Sequence, residues 1–404
     1  MEKKNSKILI LIFFVAFVAR ICFILTLDNS VDVWGDWWDE LGWKLASGQG
    51  YWVNNPYFVD GEPFYSWRAP GFPLFLAGIY KIFGHSFLAA KIGLAFISSL
   101  TAVFLFPLAA FFVGNRAAMA CAAFYAVYPV AIFWTGYLAP ETLTAFFVVV
   151  LTFLSVLAVR TDRLLICFVS GIIFGCLFLT RPLTIVLFPV ILVYFLIHKQ
   201  KIVKKSLLFC TGCLIVFPWI VRNYLIHHTL VLGSTEGGVV FYIANNEKVL
   251  GEPSGFYHAE NITEFRGLSE VEIDRKFYRM GFDFVKKNPS LYFKLVMDRF
   301  VRFWRFFPHT ISGPGEPYSK KHVIISVFVE TPLIILGWIG FFLSFRQWRN
   351  FFVLHGFIVT FSTFTILIRT AIRYRFPVMP LMLVFAIYTL WLFKKFRENH
   401  ARKF

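Results

Sequence analysis

Three carboxylates, Asp36, Asp39 and Glu40, sit close together in GDWWDELGWKLASGQGY, the stretch from Gly35 to Tyr51. Trp34, Trp37, Trp38 and Trp43 crowd them. Apolar packing raises a carboxylate pKa and a basic neighbour lowers it. A carboxylate tuned in this way can take a proton from a hydroxyl as a general base. The tryptophans also fit a plainer role, anchoring the chain among lipid head groups. Farther on, YSWRAPGFPLFLAGIYKIFG sets Arg68 before Pro70, Gly71 and Pro73, which predicts a tight turn followed by a short helix at the membrane interface. Glu141 follows Pro140 and opens an apolar run, the place where an acid complements a helix N-terminus.

The elements that must position these residues are read from hydropathy. The chain has 404 residues, is 58% hydrophobic and contains 52 Phe, with the apolar residues gathered in long blocks. Soluble domains average about 45–50% apolar, so the blocks predict an all-α polytopic membrane protein. The net charge of +17 does not point to nucleic acid, because the basic residues flank apolar spans and build no nucleic-acid motif. About ten spans are expected: 8–27, 86–113, 117–134, 142–159, 164–179, 183–197, 206–221, 322–345, 351–368 and 376–393. The first has lysines before it and no small-residue cleavage site after it, and it reads as an uncleaved signal anchor. Residues 1–221 form an N-terminal module with a first outer loop at 28–85, residues 222–321 an external segment, and residues 322–404 the C-terminal spans and tail. Within the external segment, Asn288-Pro289 divides two predicted helices.

Short basic breaks set the orientation. Arg116, Arg160, Arg163, the run Lys199–Lys205, Arg346, Arg349 and both termini fall on one side, which the positive-inside bias makes cytoplasmic. Of the acidic residues only Glu2, Asp162 and Glu398 share that side. The exceptions are Arg181 and the group Arg369, Arg373 and Arg375, which lie in short outer loops, and Arg20, which lies within the first span. Cations at such depths tend to face a polar cavity or a partner. Arg20 is expected to snorkel to head groups. For Arg373 and Arg375, beside Tyr374 and Pro377, that reading and a functional one stand level. Arg299, Arg302 and Arg305 recur as a basic stripe suited to an anionic membrane surface or a phospholipid. Gly171 and Gly175 form a GxxxG packing face. The six cysteines lie in apolar segments and read as buried thiols, and His227 and His228 read as structural.

Taken in order, these residues resemble the bacterial branch of the GT-C glycosyltransferases, the superfamily of protein O-mannosyltransferases and lipid A aminoarabinose transferases. DELGWKLASGQGY is similar to the family's acidic opening with Gly-x-Gly-aromatic, and WRAPGFP to its Arg-Pro-Pro-Gly-Tyr-Pro segment. GYLAPETL, FLTRP, FPWIVRNY and RYRFPVMP resemble four later motifs. The resemblance implies a GT-C fold with a helical first outer loop and a mostly helical external segment. It implies a sugar moved from a polyprenyl-phosphate donor to an acceptor hydroxyl on a lipid, glycan or protein, on the outer face of the plasma membrane and with inversion. Carried over by position, the base is Asp36 or Asp39, with Glu40 beside them. Trp38 stands where the family often has Tyr, which favours Asp36; the Asp-Glu pair favours Asp39. Arg68, Glu141, Arg181, Arg222, Asn223, Arg373, Tyr374 and Arg375 are the implied substrate-binding residues, the guanidinium groups because they match phosphate oxygens bidentately. No cofactor or metal ligand set is assigned; relatives differ in whether they need a divalent cation. The rival reading is a lipid or glycan transporter or flippase, which should show polar residues at mid-bilayer and internal repeats.

Overall fold

A computed structural model describes residues 3–30, 37–58, 61–249, 263–308 and 320–401. Asp36 and Trp34 lie outside the described residues. Among those described, the chain is helical, with one isolated antiparallel bridge between Val53 and Phe64. Helix α1 (Lys3–Ile24) leads into the first loop, which carries α2 (Trp38–Ala46) and α3 (Gly71–Phe83). Next come α4 (Phe87–Ala126), the short α5 (Pro129–Phe133), α6 (Glu141–Arg160), α7 (Leu164–Thr180), α8 (Leu187–Ile197) and α9 (Ile202–His227). The second polar region holds α10 (Gly237–Tyr242), α11 (Glu270–Lys287) and α12 (Pro289–Trp304), the last two divided at Asn288-Pro289 as expected. Helices α13 (Lys320–Leu343), α14 (Trp348–Ile368) and α15 (Met379–Ala401) complete the bundle.

Six helical stretches among the described residues are long and apolar enough to cross a bilayer, and α3, α7 and residues 182–197 are apolar but shorter. Two of the six, Phe87–Ala126 and Lys320–Ile368, each run through a predicted break. The break inside α4 is at Gly114, whose φ of 75° and ψ of 166° leave helical geometry in a region that only glycine enters freely. Large apolar side chains such as Leu11, Phe14, Leu214, Phe217, Phe328 and Phe342 are exposed on the outer helices, which suits a lipid surround. The core gathers α1, α4, α6, α8, α14 and α15 around Leu105, Tyr125, Val149, Phe357 and Phe385.

The third predicted span, 117–134, is shorter than expected. α4 stops at Ala126 and α5 starts at Pro129, which has no N–H to continue the ladder. Arg20 closes the break. Its guanidinium is fully buried and donates to the Ala126 carbonyl at 2.8 Å, to Tyr125 at 3.3 Å and to Ala16 at 2.9 Å. The expectation that Arg20 snorkels to head groups is therefore wrong. It donates to carbonyls at a helix C-terminus, where positive charge is favoured.

Glycines set two seams. A Cβ on Gly171 or Gly175 would meet Leu208, Thr211 or Ile215 of α9, so the GxxxG face packs α7 on α9 as expected. At Gly71 a Cβ would lie 2.6 Å from the Thr180 nitrogen and 2.7 Å from the Leu179 carbonyl carbon, so α3 begins pressed on the end of α7. Because the obstacle is backbone, Gly71→Val should destabilise the protein by about 1–3 kcal/mol or more through overpacking. Its Tm in lipid nanodiscs should fall well below wild type, whereas Gly78→Ala, which meets nothing within 4 Å, should leave Tm near wild type.

Candidate functional site

The acidic loop is built on α2. Trp37, just before the helix, has a φ of 60°, a left-handed conformation that costs a bulky residue about 1–2 kcal/mol. Asp39 in the first turn is already engaged. Tyr80 of α3 donates to its Oδ1, and His85 Nε2 lies 2.9 Å and 3.1 Å from its two oxygens. His85 in turn stacks on Trp43 with centroids 4.7 Å apart. Glu40 pairs with Lys44 at 2.6 Å, and Lys44 also donates to the Trp52 carbonyl at 3.2 Å. Tyr80 lies two and a half turns, about 13 Å, along α3 from Gly71. Asp39 therefore faces the far end of α3 from the residues next described.

Four of the implied binding residues converge. The Thr-Arg-Pro sequence ends α7, because Arg181 before Pro182 is extended (φ −148°) and carries its side chain toward α6. There Arg181 donates to Glu141 Oε1 at 3.1 Å. Arg373 Nε lies 3.9 Å from the same oxygen. Tyr374 fills the space between the arginines. Both guanidinium carbons are 4.9 Å from its ring centroid, and Arg373 Nη2 lies 3.1 Å from its hydroxyl. Glu141 is 1% exposed, and its second oxygen, Oε2, is buried with no hydrogen-bond partner among the described residues. Such an atom costs free energy unless something binds it. Arg68, beside Gly71 and hence the same end of α7, sits 4.9 Å from the Trp38 ring and is ion-paired with Glu236.

The remaining arginines are taken up by the fold. Arg222 donates to the Tyr65 carbonyl at 2.6 Å and the Tyr51 carbonyl at 2.8 Å, and Asn223 donates to Val231 at 3.1 Å. Arg222 thus clasps the first loop to α9, and Asn223 does so by accepting from Ser66 Oγ at 2.9 Å. Arg375 is buried against Glu330 and donates to the carbonyls of Phe303 at 2.8 Å and Arg305 at 2.7 Å; Tyr128 donates to the same Glu330. It locks α13 and α12 to the segment before α15. Arg299 is buried on Ala244, Asn245 and Leu367, and Arg302 pairs with Asp298 at 2.6 Å. The predicted basic stripe is therefore broken at its first member. His227 contacts Ser66 at 2.8 Å in a structural setting. All six cysteines are free, and Cys22, Cys210 and Cys213 are exposed, not buried as expected, because they face outward from α1 and α9. Among the described residues no three His, Cys, Asp or Glu side chains gather as a metal site.

A cavity of about 270 Å³ adjoins the cluster. Phe23, Ile132, Phe133, Ile325 and Val329 make its wall apolar, and Arg373, Arg375, Glu330 and His322 also line it. Arg373 thus belongs both to this cavity and to the Glu141 cluster. The second polar region is sewn to the first loop by Glu270, which accepts from Ser66 N at 3.0 Å, from Tyr65 N at 2.7 Å and from Thr235. Burial pushes its carboxyl above the usual range against those hydrogen bonds. Asp274, one turn on, accepts from Gly238 N at 2.6 Å.

The motif resemblance agrees with comparison to known proteins. Residues 67–224, less than half of the chain, match the family model described as dolichyl-phosphate-mannose-protein mannosyltransferase. That match includes Arg68, Glu141, Arg181, Arg222 and Asn223 and excludes the acidic loop. No curated protein matches the chain by sequence. Among solved structures, the apo oligosaccharyltransferase of Archaeoglobus fulgidus aligns over 100% of this chain and 52% of its own length, with a TM-score of 0.59 and 14% identity. The same enzyme, AglB, in complex with an inhibitory peptide and a dolichol-phosphate aligns over 100% of this chain and 52% of its own, with a TM-score of 0.55 and 13% identity. ArnT from Cupriavidus metallidurans bound to undecaprenyl phosphate aligns over 96% and 76%, with a TM-score of 0.40 and 15% identity, too loose a likeness to argue from. The chain spans about half the length of the oligosaccharyltransferase it matches. The fold is that of the GT-C membrane glycosyltransferases.

Sequence reasoning missed Tyr80, His85, Glu236, Glu270 and Glu330. Only Glu330 carried a signal, as a carboxylate inside a predicted span. Asp274 supplies a test of the electrostatics. Burial raises its pKa from 3.8 to about 7, helped by Glu270 and opposed by Gly238 N and Arg275. The folded state therefore holds this proton more tightly than the unfolded chain, and stability is lost as pH rises from about 4 through 7. Asp274→Asn should cancel that loss. The Tm of the variant minus that of wild type should grow from pH 4.5 to pH 7.5; a difference constant across the range would contradict the assignment.

Proposed function

We propose that the protein is a membrane glycosyltransferase that moves a sugar from a polyprenyl-phosphate donor to an acceptor hydroxyl at the outer face of the plasma membrane, with inversion. The observation that carries this reading is the buried cluster of Glu141, Arg181, Arg373 and Tyr374, in which Glu141 Oε2 has no hydrogen-bond partner among the described residues. The AglB complex with a dolichol-phosphate supports the donor class. The positive-inside distribution supports cytoplasmic termini and an outer site.

The reaction needs a base and cations. A carboxylate of the first loop takes the acceptor's hydroxyl proton as that oxygen attacks the anomeric carbon. The bond from the anomeric carbon to the phosphate oxygen breaks on the opposite side, which inverts the centre. The lipid phosphate departs with the electron pair and needs no strong acid. Negative charge grows on it, and fixed guanidinium groups in a site shielded from water stabilise such charge more than water does. Arg181 and Arg373 serve this role, and Arg68 serves it once released from Glu236. The lipid chain runs into the apolar cavity behind Arg373. We assign the base to Asp36. Asp39 is already bonded to Tyr80 and His85 and holds α2 in place, and Glu40 is paired with Lys44.

A strain lacking the protein, analysed by mass spectrometry of its surface glycans and lipids, would identify the transferred sugar and its acceptor. With that donor in hand, Asp36→Asn should lower turnover about 100- to 10,000-fold, the usual contribution of one base. Arg181→Gln and Arg373→Gln should each cost about 100- to 1,000-fold. Asp39→Asn should lower Tm and reduce activity less than Asp36→Asn. Unchanged surface glycans and lipids in cells carrying Asp36→Ala with Asp39→Ala, expressed at the wild-type level, would rule the mechanism out.

A further inference from the structure

Helix α12 has three faces, and among the described residues one of them packs on the protein. Leu295, Arg299 and Phe303 are buried against the protein. Lys294, Asp298 and Arg302 form a polar side. The third face is apolar and bare: Phe293 is 65% exposed, Met297 47%, Phe300 47% and Val301 59%. Their spacing of four, three and one residues keeps them on one stripe of a helix. α12 is also the element whose basic residues suggested a membrane surface, although the stripe found here is made of different residues.

The height of α12 in the bundle identifies what covers this face. The Tyr292 hydroxyl donates to the Leu367 carbonyl at 3.2 Å, and Arg299, seven residues on, donates to the same oxygen at 3.3 Å. Leu367 is one residue from the end of α14, so the middle of α12 lies where that spanning helix stops. Phe364, one turn earlier on α14, is itself exposed, which brings the lipid-facing surface of α14 up to α12. Beyond the helix, Phe306 and Phe307 are exposed as well. The flanking charges are mainly basic, with Lys286, Lys287, Lys294, Arg302 and Arg305 against Asp283 and Asp298. An apolar stripe with a basic border at the level where acyl chains give way to head groups fits anionic phospholipid.

We infer that α12 is seated in the head-group layer of the bilayer, with Phe293, Met297, Phe300 and Val301 inserted among the upper acyl chains. The seat does not depend on the proposed reaction, but it bears on it. Arg375 holds the carbonyls of Phe303 and Arg305 at the end of α12, two residues from Arg373 in sequence. The bilayer surface thereby sets the height of the arginine cluster.

Nitroxide labels test the seat. Phe293, Met297, Lys294, Asp298, Phe300 and Val301 are changed to Cys one at a time, with exposed Cys22, Cys210 and Cys213 replaced by Ser. The protein is placed in vesicles of phosphatidylethanolamine and phosphatidylglycerol. Labels at Phe293, Met297, Phe300 and Val301 should be reached severalfold better by oxygen than by a water-soluble nickel chelate, and labels at Lys294 and Asp298 should show the reverse. A labelled variant that melts below its parent is replaced by its neighbour on the same stripe. Equal access of the chelate to all six positions would place α12 in water. Exclusion of both reagents from Phe293 and Phe300 would mean that protein covers the face. Either result overturns the inference.

Discussion

Glu141 has almost no contact with solvent, yet two guanidinium groups and a phenol are arranged around it. Breaking such a buried pair by removing one partner costs about 3–5 kcal/mol, because the other charge is left unanswered in a poor dielectric. The cluster therefore acts as a constraint on the whole bundle. Glu141 comes from the first turn of α6, Arg181 from the end of α7, and Arg373 and Tyr374 from the segment before α15. Gly71 pressed on Thr180 brings in α3, and with it Arg68. Two positive charges around one negative leave a positive excess where a phosphate group is proposed to leave.

The other arginines show how this cluster differs from its surroundings. Arg20, Arg222, Arg299 and Arg375 spend their donors on backbone carbonyls, which closes helix ends and ties loops to helices. Arg181 and Arg373 instead face a carboxylate with an unused oxygen and an aromatic ring. Positive charge in the chain is thus divided between cations bonded to backbone carbonyls and cations gathered on one buried carboxylate. Sequence position alone does not separate them, since all are arginines near the ends of apolar runs.

That division explains what was legible in the sequence. Hydropathy blocks and their polar breaks located the helices, because bilayer thickness and the lack of water leave few alternatives for an apolar run. Gly114 and Asn288-Pro289 marked breaks through local chemistry that needs no partner. The convergence of Glu141, Arg181 and Arg373 followed from the motif resemblance, not from any local signal. The pairings that reassign Asp39, Arg222, Arg299 and Arg375 join residues far apart in the chain, as Arg222 with Tyr51 and Arg299 with Leu367. Single-sequence reading has no access to them. Cys22, Cys210 and Cys213 were misread because an apolar segment in a membrane protein has an outside that is as apolar as its inside.

Arg20 carries a consequence for biosynthesis. Its partners Tyr125 and Ala126 are translated about a hundred residues after it, as the separation of 106 positions to Ala126 shows. When α1 first leaves the ribosome, its guanidinium has only the Ala16 carbonyl of its own helix to hold. The nascent helix must keep that group in the translocation channel or draw water and lipid phosphate down to it until the α4 carboxyl end arrives. Insertion of the first helix is therefore provisional, completed only when a later segment docks.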